Sequence, residues 1–301
     1  MSSVLYDTPG PRAKRRYVLF SVVFGLLFAL LLWWIWQTMD DKGQLKWNLW
    51  EPFTTSQAWT TYLLPGLGDT LKAAAISMVI ALPLGAVFGI ARLSDHRWVR
   101  GIAGTVVEFF RSIPVLLLML FANEFYVRST NVGSEERPLY AVVTGLVLYN
   151  ASVLAEIVRA GILSLPKGQS EAAMAVGLRK GQTMSSILLP QAVTAMLPAI
   201  VSQLVVIVKD TALGGVMLGY TELLNARSTL AANYANVVPS FIVVGIIFII
   251  VNFALTTFAA WLEARLRRSK KGTGTVLGED MVEVNPAAVG GAFGTGAGEG
   301  V

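Results

Sequence analysis

The sequence contains no cysteine and one histidine, His96. The first absence excludes a disulfide scaffold, a thiol nucleophile and any cysteine-ligated metal. The second excludes a histidine-ligated centre or a Ser-His-Asp triad built elsewhere in the chain. Charge is scarce too. Only 14% of the 301 residues are Asp, Glu, Lys or Arg, against roughly 25% in a soluble domain. With 54% hydrophobic residues and a mean hydropathy of +0.60, the chain belongs in a bilayer. A phosphate loop of the form G-x-x-x-x-G-K-[ST] is also missing, so the chain does not carry that nucleotide site.

The apolar runs predict six crossings. Residues 1–17 form a polar tail with a basic cluster at Arg12, Lys14, Arg15 and Arg16, and residues 18–36 follow without a charge. That run is too long for a signal-peptide core and ends in Trp33, Trp34 and Trp36 rather than at a small-residue cleavage site, so it predicts an uncleaved anchor. Residues 37–65 read as a polar extracytoplasmic connection. A second span is expected from the Gly66-Leu67-Gly68 break, capped by Asp69 or Thr70, to about Arg92. Ala81, Gly85 and Gly89, four apart, predict close helix packing within it.

Four more spans are expected at about Gly101 to Asn123, Leu139 to Arg159, Gln191 to Val208 and Val237 to Trp261. Lys209 and Asp210 would close the fifth as a cap and packing pair, and Thr211 to Asn236 would be a polar connection. With six crossings, the basic clusters at 12–16, 92–100, 159–180 and 265–271 fall on one side, which the positive-inside bias makes the cytoplasm. The net charge of +5 then belongs to cytoplasmic loops, with no nucleic acid partner implied, and both termini are expected inside. His96 reads as a solvated residue of one such loop. Residues 269–301, rich in Gly and Ala, predict a disordered cytoplasmic tail.

Between the fourth and fifth spans lies a polar stretch, about 161–190. Gly168 is expected to break the chain, and Ser170 to cap a short helix through Glu171, Ala172 and Ala173, with Glu171 at its positive end and Gly177 as terminator. A second short helix is expected from Lys180 to Ile187. Such an element is either an ordinary loop or a docking helix. Charges inside the spans form a second constellation. Glu108 and Arg111 are three apart, as are Glu156 and Arg159, so each pair shares a helix face and should point away from lipid. Two readings remain open: these residues, with Ser77 and Asn150, line a path for a zwitterionic substrate, or they are salt bridges that brace the bundle.

The run Glu171-Ala172-Ala173, Gly177, Ile187, Leu189, Pro190 resembles the EAA loop of bacterial ABC importer permeases with the type I, MetI-like fold. The flanks GLGDTLKAAAIS (66–77), VEFFRSIPVLL (107–117), LAEIVRAGILSLPKGQ (154–169) and KDTALGGV (209–216) resemble the polar amino acid branch, and LYDTPGPR (5–12) resembles actinobacterial glutamate permease subunits. The third-span motif departs from the usual F-R-G-T-P, with Ser112-Ile113 in place of Gly-Thr. The resemblance covers about Gly66 to Arg268.

It implies an all-α polytopic membrane protein of the bacterial cell membrane, with six transmembrane helices, a permease core at 66–268 and a cytoplasmic coupling helix. It further implies that Glu171, Ala172, Ala173, Gly177 and Arg179 meet an ATP-binding cassette subunit present in two copies. ATP and Mg would be held by that subunit and no cofactor by this chain. A second related permease or a second copy would complete the pore, and an extracytoplasmic binding protein would deliver an amino acid, glutamate first among the candidates. The other transport class considered is an ion-coupled secondary transporter using Glu108, Glu156 and Asp210; neither inverted repeats nor broken mid-membrane helices are evident for it.

Overall fold

A computed structural model describes residues 10–270; the LYDTPGPR run at 5–12 is therefore mostly outside the described residues, as is all but the start of the tail expected at 269–301. Every regular element among the described residues is helical. Five helices are long and apolar enough to cross a membrane, and a sharply bent pair makes a sixth if it counts as one span.

Helix α1, Pro11–Asp41, starts with proline at its first turn and takes in the basic cluster. Its 31 residues span about 46 Å at 1.5 Å per residue, more than the expected 18–36. No residue of α1 is buried, so it gains nothing from packing on the rest of the chain. Gly43, at φ +63°, turns the chain back. The connection at 37–65 is far more helical than expected. It contains α2 (Trp47–Trp50), a short turn at Glu51–Thr54 and α3 (Ser56–Ala58). Two indoles pin it: Trp50 Nε1 donates to the Gln44 carbonyl at 3.1 Å and Trp59 Nε1 to that of Phe53 at 2.7 Å.

From there the chain runs without a break into α4, Leu64–Ala91. The expected break at Gly66–Gly68 is absent. Gly66 is instead a contact point, because a Cβ there would lie 2.8 Å from the Ala226 Cβ. The buried residues of α4 are Gly66, Thr70, Ala73, Ala74, Ser77, Ala81, Gly85 and Gly89, a stripe of small side chains at helical spacing. They admit α7, Arg137–Leu163, at close range: a Cβ on Gly85 would meet that of Leu154 at 2.6 Å, and one on Gly89 the Ala155 carbonyl at 2.7 Å. Helix α7 carries thirteen buried positions, more than any other described helix, and forms the mast of the bundle. Between helices in a membrane this proximity stabilises through dispersion rather than through release of water.

The third span is not one helix. Helix α5, Arg97–Ser112, and α6, Val115–Ser129, meet at 99° across Ile113 and Pro114. Ile113 is extended (φ −92°, ψ 129°), as a residue before proline prefers, and Pro114 caps α6. The Arg-x-x-Pro signal marks a corner, not a spanning segment. Helix α6 runs antiparallel along the N-terminal half of α7. Met119 fills the notch at Gly145, and the hydroxyls of Tyr126 and Thr144 share a hydrogen bond of 2.9 Å.

Helix α8, Lys167–Ala175, and α9, Lys180–Thr183, carry the polar stretch. A wide turn at Met184–Leu188 leads into α10, Leu189–Leu218. Lys209 and Asp210 therefore lie inside α10 rather than at its end, and Gly219 (φ +70°) terminates it. Helix α11, Leu223–Tyr234, replaces most of the connection expected there, and α12, Val237–Lys270, continues nine residues past the expected span. The main core joins Ala73, Ala74, Met119, Val142, Leu146 and Ile207 from α4, α6, α7 and α10.

Candidate functional site

The polar stretch folds much as its punctuation suggests, with a shifted start. Pro166, not Ser170, caps α8, so Gly168 and Ser170 are helical and Glu171 sits mid-helix instead of at the positive end. The terminator is as expected. Gly177 adopts φ +81°, its N–H donates to the Met174 carbonyl at 3.0 Å, and Leu178 N–H reaches back to that of Ala173 at 3.1 Å. This pair of bonds is the Schellman arrangement, which needs a left-handed residue at the turn. Ala173 is buried, whereas Glu171, Ala172, Met174 and Val176 are exposed, Val176 by 77%. Arg179 is exposed also, and its N–H donates to Gln182 Oε1 at 2.9 Å to open α9.

The loop is tied to the bundle by Lys180. Its Nζ donates to the Leu93 carbonyl at 3.1 Å and pairs with Asp95. That hydrogen bond and the lysine charge hold the Asp95 carboxyl below the usual carboxylate range, and the nearby positive charges of His96 and Arg100 add to the effect. The exposed helix α8 is thus braced on a short α4–α5 loop.

The charges that the sequence puts inside the spans join into one network with Arg92. Arg92 Nη1 meets Glu156 Oε2 at 2.8 Å and Arg92 Nη2 meets Glu108 Oε1 at 3.0 Å. Glu156 also pairs with Arg159 at 2.8 Å, and Glu108 with Arg111 at 3.4 Å. The order Arg111–Glu108–Arg92–Glu156–Arg159 alternates in sign and joins α4, α5 and α7. Arg92, only 14% exposed, is its centre. In the sequence Arg92 reads only as one of a cytoplasmic basic cluster; the signal for its role is that it alone of that cluster continues the spacing of Gly85 and Gly89 on α4.

Ser77 and Asn150 are fully enclosed. Asn150 Nδ2 donates to the Leu146 carbonyl at 2.8 Å, and Gln203 Nε2, from α10, donates to Asn150 Oδ1 at 2.5 Å. Ser77 Oγ finds no partner. In a single chain these groups face neighbouring helices and not an open surface.

A second polar knot lies at the opposite end of the bundle. Glu222 is wholly buried and caps α11, accepting from Leu224 N–H and Asn225 N–H, both at 2.8 Å. Thr70 does take a free backbone N–H, but that of Leu223 at 3.0 Å, across to α11. Tyr220 Oη donates to the Asp69 carbonyl at 2.8 Å, and Thr221 Oγ1 to Asp69 Oδ2 at 2.9 Å. Burial pushes the Glu222 carboxyl up to about 7, against the lowering effect of its two backbone N–H bonds. Only a lone acid within Tyr220-Thr221-Glu222-Leu223-Leu224 hinted at this cap. No group of metal-ligating side chains occurs among the described residues.

Comparison with known proteins matches these features. A family profile described as "Binding-protein-dependent transport system inner membrane component" covers residues 81–268, which include the Arg92 network and the α8 loop. The glutamate transport system permease protein GluD of Corynebacterium glutamicum is 47% identical over 77% of this chain and 85% of its own length. The arginine transport system permease protein ArtQ of Bacillus subtilis is 32% identical over 68% of this chain and 93% of its own. Among solved structures, an amino acid ABC transporter with histidines shares the fold, with a TM-score of 0.63 at 24% identity, over 69% of this chain and 95% of that one. With its profile spanning the network and the loop, and a close relative along most of its length, this multi-pass chain belongs to the inner membrane components of binding-protein-dependent transport systems.

Proposed function

We propose that this chain is the membrane-spanning subunit of an ATP-driven importer for a polar amino acid, with glutamate the first substrate to test. The carrying observation is α8: a short exposed helix with a Schellman end, held out from the bundle in a chain with no phosphate loop. A separate ATPase subunit, with ATP and Mg bound there, would receive Glu171, Ala172 and the exposed Met174 and Val176 in a cleft. Buried Ala173 would seat the helix on its own chain, Gly177 would set its exit, and Arg179 would offer a polar contact. The α8 loop and both termini are then cytoplasmic. An extracytoplasmic binding protein would present the amino acid at the Glu222 end, and a second permease, related or identical, would complete the pore. Glutamate rests on the 47% identical relative, whose name states that substrate.

The network supports bracing as the first role of Glu108, Glu156 and Arg92, since both carboxylates are taken by arginines. That pairing removes the motive for an ion-coupled mechanism through them. Arg111 and Arg159, at the network's ends and 41% and 36% exposed, would be the residues to meet a passing carboxylate. Ser77 and Asn150, with Gln203, would position the helices that border the path.

The test is uptake of labelled glutamate into proteoliposomes holding this subunit, its ATPase and its binding protein. Uptake should require ATP and all components, and should fall when excess unlabelled aspartate or glutamine competes only if they share the path. Uptake that persists without ATP and collapses with an ionophore would defeat the reading.

A further inference from the structure

Helix α5 has three distinct faces. Ala103, Val107 and half-buried Phe110 face the bundle. On the opposite side Trp98, Ile102 and Phe109 form a stripe at i, i+4 and i+11, exposed by 84%, 64% and 58%. Arg97, Arg100 and Arg111 lie along the flank between them, all exposed. The acids nearby are already engaged, Glu108 by Arg92 and Arg111, and Asp95 by Lys180. With Arg111 paired to Glu108, the flank presents the positive charge of Arg97 and Arg100, neither in an ion pair among the described residues, beside exposed aromatic and aliphatic surface.

Orientation follows from α6. That helix packs antiparallel on α7, the mast, and so runs with the spanning helices. A 99° bend then lays α5 across them. It is held at two points. Phe110 and Val107 share an apolar recess of about 120 Å³ with Phe88, Leu148 and Ala151. The Leu93–Asp95 turn before α5 is held by Lys180, on the same side as α8.

We infer that α5 is an in-plane interfacial helix that gathers anionic phospholipid on the α8 side of the membrane. The Trp98–Ile102–Phe109 stripe would enter the boundary between headgroups and acyl chains, and Arg97 and Arg100 would hold the phosphates. A helix with an apolar face and a basic flank binds a leaflet through both terms together, and each basic residue near an anionic surface adds a preference on the order of fivefold. Lipid charge would then bear on the Arg92 network, through Arg111 and Glu108 of the same helix.

The full chain in nanodiscs of phosphatidylcholine, with brominated phosphatidylglycerol or brominated phosphatidylcholine added, provides the test. Quenching assigned to Trp98, by difference from Trp98→Phe, should require several-fold less of the glycerol lipid than of the choline lipid. The preference should vanish in Arg97→Gln/Arg100→Gln and survive in Arg97→Lys/Arg100→Lys, which separates charge from folding. Equal quenching by both lipids would overturn anionic selection. No quenching of Trp98 by either would overturn the in-plane placement, and a preference that outlives the glutamine pair, with both variants keeping the wild-type elution profile, would overturn the role of Arg97 and Arg100.

Discussion

Glycines divide cleanly by what surrounds them. A Cβ at Gly177 would meet nothing within 4 Å, yet its φ of +81° disfavours any other residue, by about 1–2 kcal/mol. Gly177→Val should therefore leave the bundle folded while loosening the end of α8. In a reconstituted complex the expected result is ATP hydrolysis with transport reduced several-fold, and unchanged transport would count against the coupling role. At Gly145 the constraint is space, since a Cβ would lie 2.5 Å from Met119 Cγ and 2.7 Å from Met119 N. Gly145→Ala should lower thermal stability in detergent by about 1–3 kcal/mol, whereas Gly104→Ala, in open space on α5, should be neutral or stabilising. Glu222 gives a pH signature. Its carboxyl titrates near 7 when folded and, as an exposed glutamate, nearer 4.5. Between those values the folded state binds more protons, so this residue's contribution falls as pH rises from about 4.5 to 7 and stays low above. Melting curves from pH 5 to 8 should show that decline in the wild type and a flatter profile in Glu222→Gln.

The ion-pair network belongs to the scale of elements, because Arg92 ties three helices at one point. Its contact with Glu156 is more enclosed than that with Glu108, the carboxylates being 31% and 51% exposed. A double-mutant cycle should accordingly give a larger coupling for Arg92 with Glu156, on the order of 1–2 kcal/mol, than for Arg92 with Glu108. Equal couplings in thermal unfolding would contradict that ranking. The elements themselves were unevenly legible from the residues. Composition and apolar runs suffice for α1, α7 and α12, and the small-residue spacing of α4 correctly predicts close packing. The corner at Ile113–Pro114 was readable only as a proline signal, since apolar residues continue on both sides of it. The end of α10 is hidden in the sequence because Lys209 and Asp210 look like a boundary, whereas the helix continues to Leu218 and ends at Gly219. Within the candidate site, the glycine terminator was visible in sequence. The pairing of Arg92 with acids 16 and 64 residues away was not, because no local pattern encodes it.

For the molecule as a whole, α1 stands apart from the packed bundle, with none of its residues buried. Deleting the segment through Asp41 should leave the thermal midpoint of the remainder within error of the full chain, as followed by tryptophan fluorescence. A large drop would mean that α1 supports the core. The packed part works differently, because its ends are joined by long helices. The helical run from Lys180 to Leu218 carries the α8–α9 loop at one end and the Glu222 knot at the other. It is some 58 Å long, and Pro198, about 27 Å from Lys180, removes one of its internal hydrogen bonds. That makes Pro198 the point at which the run bends most easily. A 10° bend there carries Lys180 through about 5 Å while the arm beyond Pro198 stays where it is. A push of a few ångströms at the loop is thereby taken up at Pro198, and the knot of Asp69, Tyr220 and Glu222 is sheltered from it.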